Sequence, residues 1–255
     1  QIPVADTLIS PSGETYGVEV TPDGTRAYVL LRNSIAVVDT MALQRIDAIW
    51  QTSHIDNIML PENAFTHSFT MDPKGDYIYV SDAIQSVIYQ ISINPADKAF
   101  YNTCVALFNL SSPVAGLRGL DVTSDGKRLY VAAPYSQVGW KGTSYDGKIV
   151  VVDIDQDANP NGYNIGLELG EFNLGSYKKP TGIKTNSKNP YLITYTDFEG
   201  GFGLITASDI DIGKVEHEIL IDNEGMEIAI LPSNTLDGQF SGHPDYAFVI
   251  GFKSE

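Results

Sequence analysis

Apolar and polar positions alternate with a period of two over short runs, and tight turns separate the runs. The first clear case is Tyr16-Gly-Val-Glu-Val20, followed by Thr21-Pro-Asp-Gly24 and then by Arg26-Ala-Tyr-Val-Leu-Leu31. The alternation predicts two half-buried strands, and Pro-Asp-Gly predicts the turn between them, because glycine adopts positive φ without a Cβ clash. A third run, Ser34-Ile-Ala-Val-Val-Asp-Thr40, is almost wholly apolar and β-branched and predicts a buried strand, with Arg45–Trp50 as a fourth. No run carries the 3.6-residue period of an amphipathic helix over a helical length, so the expectation is an all-β chain.

The same cassette returns. His67-Ser-Phe-Thr-Met-Asp-Pro-Lys-Gly-Asp-Tyr-Ile-Tyr-Val80 is followed by Ser86-Val-Ile-Tyr-Gln-Ile-Ser92, and Arg118-Gly-Leu-Asp-Val-Thr-Ser-Asp-Gly-Lys-Arg-Leu-Tyr-Val131 by Lys148-Ile-Val-Val-Val-Asp153. The turn glycines Gly24, Gly75 and Gly126 are 51 residues apart in each step. Two looser copies follow, Thr181–Thr194 and Met226–Pro232, the latter rejoining its pattern at Tyr246–Ile250. Repeats of four short antiparallel strands, with fourth strands such as Val105–Leu110 and Leu167–Phe172, predict a β-propeller of four-stranded blades. The repeat units run approximately over 11–52, 53–112, 113–176, 177–222 and 223–255, within one domain. Gln1–Ser10 reads as the outer strand of a preceding blade.

At these residues the chain resembles the YVTN repeat of bacterial and archaeal surface and secreted propellers, which are related to lactonase-type propellers of seven blades. The resemblance implies more blades than the five represented here, so the expectation is an incomplete or unusually small ring, part of a larger polypeptide or assembly. A first residue other than Met fits a processed product or a piece of a longer chain.

Charge narrows the partners. With 16 Lys+Arg against 32 Asp+Glu the formal net charge is −16, which repels phosphate backbones and anionic lipid and speaks against nucleic acid. No stretch approaches the roughly 18 apolar residues of a membrane helix, so no membrane insertion is expected. Cys104 is the single cysteine, which leaves no disulfide framework and no cysteine-based zinc site and fits an extracellular, periplasmic or cell-surface location.

Propeller topology puts two long excursions on the face where such folds bind ligands: Gln51–Thr66, with His54, Asp56, Asn57 and Glu62, and Ala133–Gly147, with Tyr135, Trp140, Lys141, Tyr145 and Asp146. Their mixture of aromatic and polar groups suits a protein, glycan or small polar ligand. A second constellation comes from aligning the copies. Tyr16, His67, Arg118, Thr181 and Met226 occupy one equivalent position per blade, predicted at the channel mouth near Glu224 and Glu227. His67 and Arg118 are the residue types that hold an anionic group, and a histidine is the residue type that can serve as acid or base near neutral pH. Polar channel residues hydrated by water are the alternative reading of the same set.

Asp157-Ala-Asn159-Pro-Asn161-Gly162 followed by Glu168 has the spacing of a calcium loop, with Asp153 and Asp155 just upstream. A repeated turn without metal explains the same residues, since Asn94–Asn102 resembles this link. No organic cofactor is expected, and calcium is the one candidate ion. The leading expectation is a non-catalytic secreted or cell-surface module for binding or scaffolding. The alternatives implied by the resemblance are a lactonase-like hydrolase, with His67, Arg118 and Glu227 as catalytic candidates, and the propeller subunit of a redox enzyme.

Overall fold

The computed structural model describes residues 15–49, 54–111, 116–135, 137–139, 142–144, 147–159, 165–174, 178–186, 192–198, 201–206, 214–220, 224–231 and 246–252. Among them every regular element is a strand. The chain forms two compact units, Gln1–Asn109 and Leu110–Glu255. Gln1–Ser10, read from sequence as an outer strand, lies outside the described residues.

The first unit holds two antiparallel sheets. One runs in chain order through β1 (Thr15–Val20), β2 (Arg26–Leu31), β3 (Ser34–Asp39) and β4 (Gln44–Ile46), and β5 (Ile58–Met59) adds to the first half of β3. The other runs through β6 (Thr66–Met71), β7 (Tyr77–Asp82), β8 (Val87–Ser92) and β9 (Thr103–Asn109). The second unit repeats the plan. Its sheets are β10 (Leu120–Val122), β11 (Arg128–Ala133), β14 (Lys148–Asp153) and β15 (Glu168–Asn173), then β16 (Pro180–Thr185), β17 (Leu192–Asp197), β18 (Gly201–Thr206) and β19 (Lys214–Leu220). The hairpin β12 (Gln137–Gly139) and β13 (Gly142–Ser144) rises between β11 and β14, and β20 (Glu224–Leu231) pairs with β21 (Tyr246–Phe252).

The turns explain why the strands start where they do. Gly24, Gly75 and Gly126 have φ of +72°, +74° and +73°, and each accepts the hairpin reversal with an N–H bond back to the residue three earlier. In the first and third sheets a threonine anchors the turn: the amides of Arg26 and Arg128 donate to the hydroxyls of Thr21 (3.1 Å) and Thr123 (3.0 Å). In the second sheet Asp72 replaces the threonine, and its Oδ1 accepts the amides of both Asp76 and Tyr77 at 2.7 Å.

Packing follows the alternation. The second-strand tyrosines Tyr28, Tyr79, Tyr130 and Tyr195, one per sheet, are buried to 1% exposure or less. In the first unit the core joins Tyr28, Leu30, Ile35 and Val37 to Phe69, Ile78, Val80, Tyr89 and Ile91. In the second it joins Tyr130, Ile149, Val151 and Phe172 to Ile183, Ile193 and Tyr195. Such buried β-branched and aromatic groups contribute roughly 1.5–3 kcal/mol each relative to exposure.

Two details differ from the sequence reading. The fourth strand of the first sheet stops at Ile46 rather than continuing to Trp50, because Asp47 Oδ1 accepts the amides of Ile49 (2.9 Å) and Asp56 (3.1 Å) and turns the chain. The following excursion is not a free loop throughout. Asn57 is buried, takes Arg45 Nη2 on its Oδ1 at 2.8 Å and donates to Ser34 Oγ at 3.3 Å, which seats β5 on β3.

Candidate functional site

The position that the sequence alignment singled out in each copy is a β-bulge. Strand register slips between Thr15 and Gly17 around Tyr16, between Thr66 and Ser68 around His67, between Pro180 and Ile183 around Thr181, and between Gly225 and Glu227 around Met226. At Arg118 two residues oppose one: the Arg118 amide donates to Ala132 O at 2.8 Å, and the Ala132 amide donates to Gly119 O at 2.8 Å. A bulge inserts one residue on the first strand of each sheet and redirects its side chain, a device common beside binding sites. Unlike residues fill the five bulges, so the backbone feature is shared and the chemistry is particular to each blade.

The bulge leaves an amide without a ladder partner, and two sheets solve this with a Ser/Thr-Asp pair at the end of the second strand. Ser68 N–H donates to Ser81 Oγ at 3.2 Å, and Gly182 N–H donates to Thr196 Oγ1 at 2.8 Å. The next residue is a buried aspartate in both. Asp82 accepts the Phe65 amide at 3.0 Å, and Asp197 accepts the Lys179 amide at 2.8 Å, fixing the chain as it enters the bulge. Asp82 also accepts the amides of Ile84 and Gln85 and the Tyr89 hydroxyl at 2.8 Å, and burial together with that bond pushes the Tyr89 phenol up. Sequence reasoning passed over these residues. The signal that could have found them is Ser81-Asp82 and Thr196-Asp197 standing where Leu30-Leu31 and Ala132-Ala133 stand in the other two copies.

In the second unit the two predicted clusters meet. Arg118 lies on the bulge, donates from Nη1 to Leu117 O at 2.8 Å, and holds its guanidinium carbon 5.9 Å from the ring centre of Tyr135, which begins the excursion from β11. Thr181 is adjacent, since Gly119 N–H donates to its carbonyl at 2.6 Å, and its buried hydroxyl is shared with Thr196 Oγ1 at 3.1 Å. Close approach explains the glycine beside Arg118: a Cβ at Gly119 would stand 2.5 Å from Thr181 O. The product is a half-buried guanidinium, flanked by an aromatic ring, at the end of a rigid sheet. A planar fork of N–H donors of this kind matches carboxylate and phosphate oxygens.

The remaining candidates divide. In the first unit Tyr16 is half-buried and packs on the core, and His67 is half-buried on β6. Glu224 and Glu227 lie on β20, opposite Phe252 and Ile250. Trp140 and Tyr145 lie outside the described residues, between and after the arms of the β12–β13 hairpin. The calcium-like loop uses its oxygens internally. Asp153 Oδ1 accepts the Asp155 amide, Asp155 Oδ1 accepts the amides of Asp157 and Ala158, each at 3.0 Å, and Asp155 Oδ2 pairs with Lys127 at 3.2 Å. The amide bond from Ala158, followed by Lys127, holds the Asp155 carboxyl below the usual range. Asn159 donates to Asp155 O, and Glu168 accepts both the amide and the hydroxyl of Ser111, at 2.9 and 2.8 Å. Asn161 lies outside the described residues, and among those described no group of three His, Cys, Asp or Glu gathers as a metal site. Among the described residues of this loop, Asp153, Asp155 and Glu168 accept from amides, a lysine and a serine.

Sheets of four antiparallel strands in chain order, with no helix among the described residues, define a propeller-type all-β protein. Solved structures agree. The chain is similar to Kuenenia stuttgartiensis hydrazine synthase (TM-score 0.64, 14% identity, 92% of this chain and 71% of that one). It is similar to a putative 6-phosphogluconolactonase from Bacteroides uniformis (TM-score 0.61, 10% identity, 82% and 55%) and to the periplasmic gluconolactonase of Pseudomonas aeruginosa (TM-score 0.61, 11% identity, 82% and 54%). It therefore spans just over half the length of each of these two lactonases. No protein-family model and no curated protein matches the sequence. Identities this low establish the fold and leave the chemistry to the site itself.

Proposed function

We propose that this protein is a non-catalytic binding module of the YVTN-repeat type, working outside the cytoplasm, that recognises a small polar anion, free or displayed on a protein or glycan. The observation that carries the reading is Arg118: a bulge sets its direction, Leu117 O holds its Nη1, and Tyr135 flanks its guanidinium. Holding the side chain before the ligand arrives reduces the ordering cost of binding. The backbone amide of Gly119, spent on Thr181 O, and the Thr181 hydroxyl, shared with Thr196, stiffen the platform instead of adding donors.

The test is calorimetric titration with gluconate, glucuronate and citrate against their neutral counterparts, glucose and glycerol. Binding of at least one anion, without binding of the neutral compounds, is expected. Failure of every anion to bind at millimolar concentration would overturn the reading.

A lactone-hydrolysing enzyme is the second reading, favoured by His67 on a bulge equivalent to that of Arg118 and by the lactonase names of two structural neighbours. It requires gluconolactone turnover above the spontaneous rate that His67→Ala abolishes without lowering thermal stability. The binding-module reading requires no such turnover.

A further inference from the structure

A second site lies along β9 in the first unit, at the opposite sheet edge from the bulged first strands. There the segment that follows β4, the end of β5 and β9 with the turn before it line a cleft of about 710 Å³, in the size range of small-molecule sites. Four walls are apolar and unusually open: Ile49 is 39% exposed, Met59 46%, Val105 38% and Leu107 51%. The chain as a whole carries −16, yet among the described residues Lys98 is the single charged side chain lining the cleft, and no carboxylate among them lines it. Cys104, half-buried, lines the same wall and is the chain's one thiol.

We propose that this cleft binds a free medium-chain carboxylate, the alkyl chain along Ile49, Met59, Val105 and Leu107 and the head group at Lys98. Apolar surface left open on an acidic protein is stabilised by a ligand that covers it, and a lone lysine at the rim selects the sign of that ligand's charge. The proposal is independent of the anion site at Arg118, which belongs to the other unit.

Cys104 supplies the readout. Burial raises its thiol above the ordinary range, so alkylation by iodoacetamide is slow at neutral pH and measurable at mildly alkaline pH. Decanoate below its micellar concentration is expected to slow alkylation at least fivefold, and decyltrimethylammonium to slow it much less. Shortening the chain to octanoate should weaken protection by up to about fourfold per methylene removed. Lys98→Glu, an exposed substitution, should remove the preference for carboxylate, and Leu107→Ser should weaken both amphiphiles. An alkylation rate unchanged by saturating decanoate would overturn the proposal, as would equal protection by both amphiphiles. Protection by anionic phospholipid vesicles but not by decanoate, or by rising protein concentration alone with dimers in ultracentrifugation, would assign the surface to a membrane or a second copy and overturn it likewise.

Discussion

Asp72 and Asp23 occupy the same kind of turn and have opposite electrostatics. Asp23 is exposed, and the Thr21 hydroxyl followed by the Thr25 amide holds its carboxyl below the ordinary range. Asp72 is 8% exposed, and burial raises its carboxyl despite the amides of Tyr77 and Asp76 that favour the ion. A raised carboxyl means that the folded chain holds the proton more tightly than the unfolded chain. The stability it contributes is full below the unfolded value and falls as pH rises through the folded one. Asp72→Asn keeps an Oδ1 acceptor for both amides while removing the desolvated charge. It should leave stability at pH 7 unchanged or higher and flatten the pH dependence just above the usual carboxylate range. Asp72→Ala, which orphans the amides of Lys74, Asp76 and Tyr77, should cost about 2 kcal/mol by urea denaturation. The Asp23 interaction runs the other way: it is present at neutral pH and lost as acid protonates the carboxyl.

At the scale of the element, the bulged first strand is the unit that the repeat conserves in shape while changing its content. Its support is predicted to be costly to remove. Asp82→Ala strands the Tyr89 hydroxyl in a buried place and the part-buried amides of Phe65, Ile84 and Gln85, for a loss of about 3 kcal/mol in a denaturant titration. Asp82→Asn retains one acceptor and should recover part of it. Gly119→Ala forces a Cβ against the backbone of Thr181 and should destabilise by at least about 1 kcal/mol, with Gly119→Val worse. Much of this level was legible in the sequence. The period of two, the Pro-Asp-Gly turn and the 51-residue spacing give the strands and their order, because each depends on local chemistry. Three of the five equivalent positions could be counted back from the turn glycines and the other two by extending the alignment, and they fall on the bulges. The bulges themselves could not be read, since an extra residue in a pairing is a relation between strands. Nor could the partnership of Arg118 with Tyr135, which the fold brings together across 17 residues. The calcium-like spacing shows the same limit: a pattern of oxygens says nothing about Lys127 and Ser111, which arrive from other segments and pair with Asp155 and Glu168.

For the whole molecule, charge sets the conditions under which either site works. A formal −16 works against the compact chain and against the approach of an anion, so local cations must overcome a repulsive field. Raising salt from ~10 to ~150 mM shortens the screening length to about 8 Å and should raise the melting temperature in a calorimetric scan. A fall would show that attractive ion pairs outweigh the net repulsion. The central claim is that Arg118 anchors an anion. The most direct measurement is titration of the tightest-binding sugar acid into the parent and into Arg118→Gln, with thermal unfolding of both. At least tenfold weaker binding in Arg118→Gln is expected, with little change in unfolding temperature; equal affinity in the two proteins would contradict an anchoring role for Arg118.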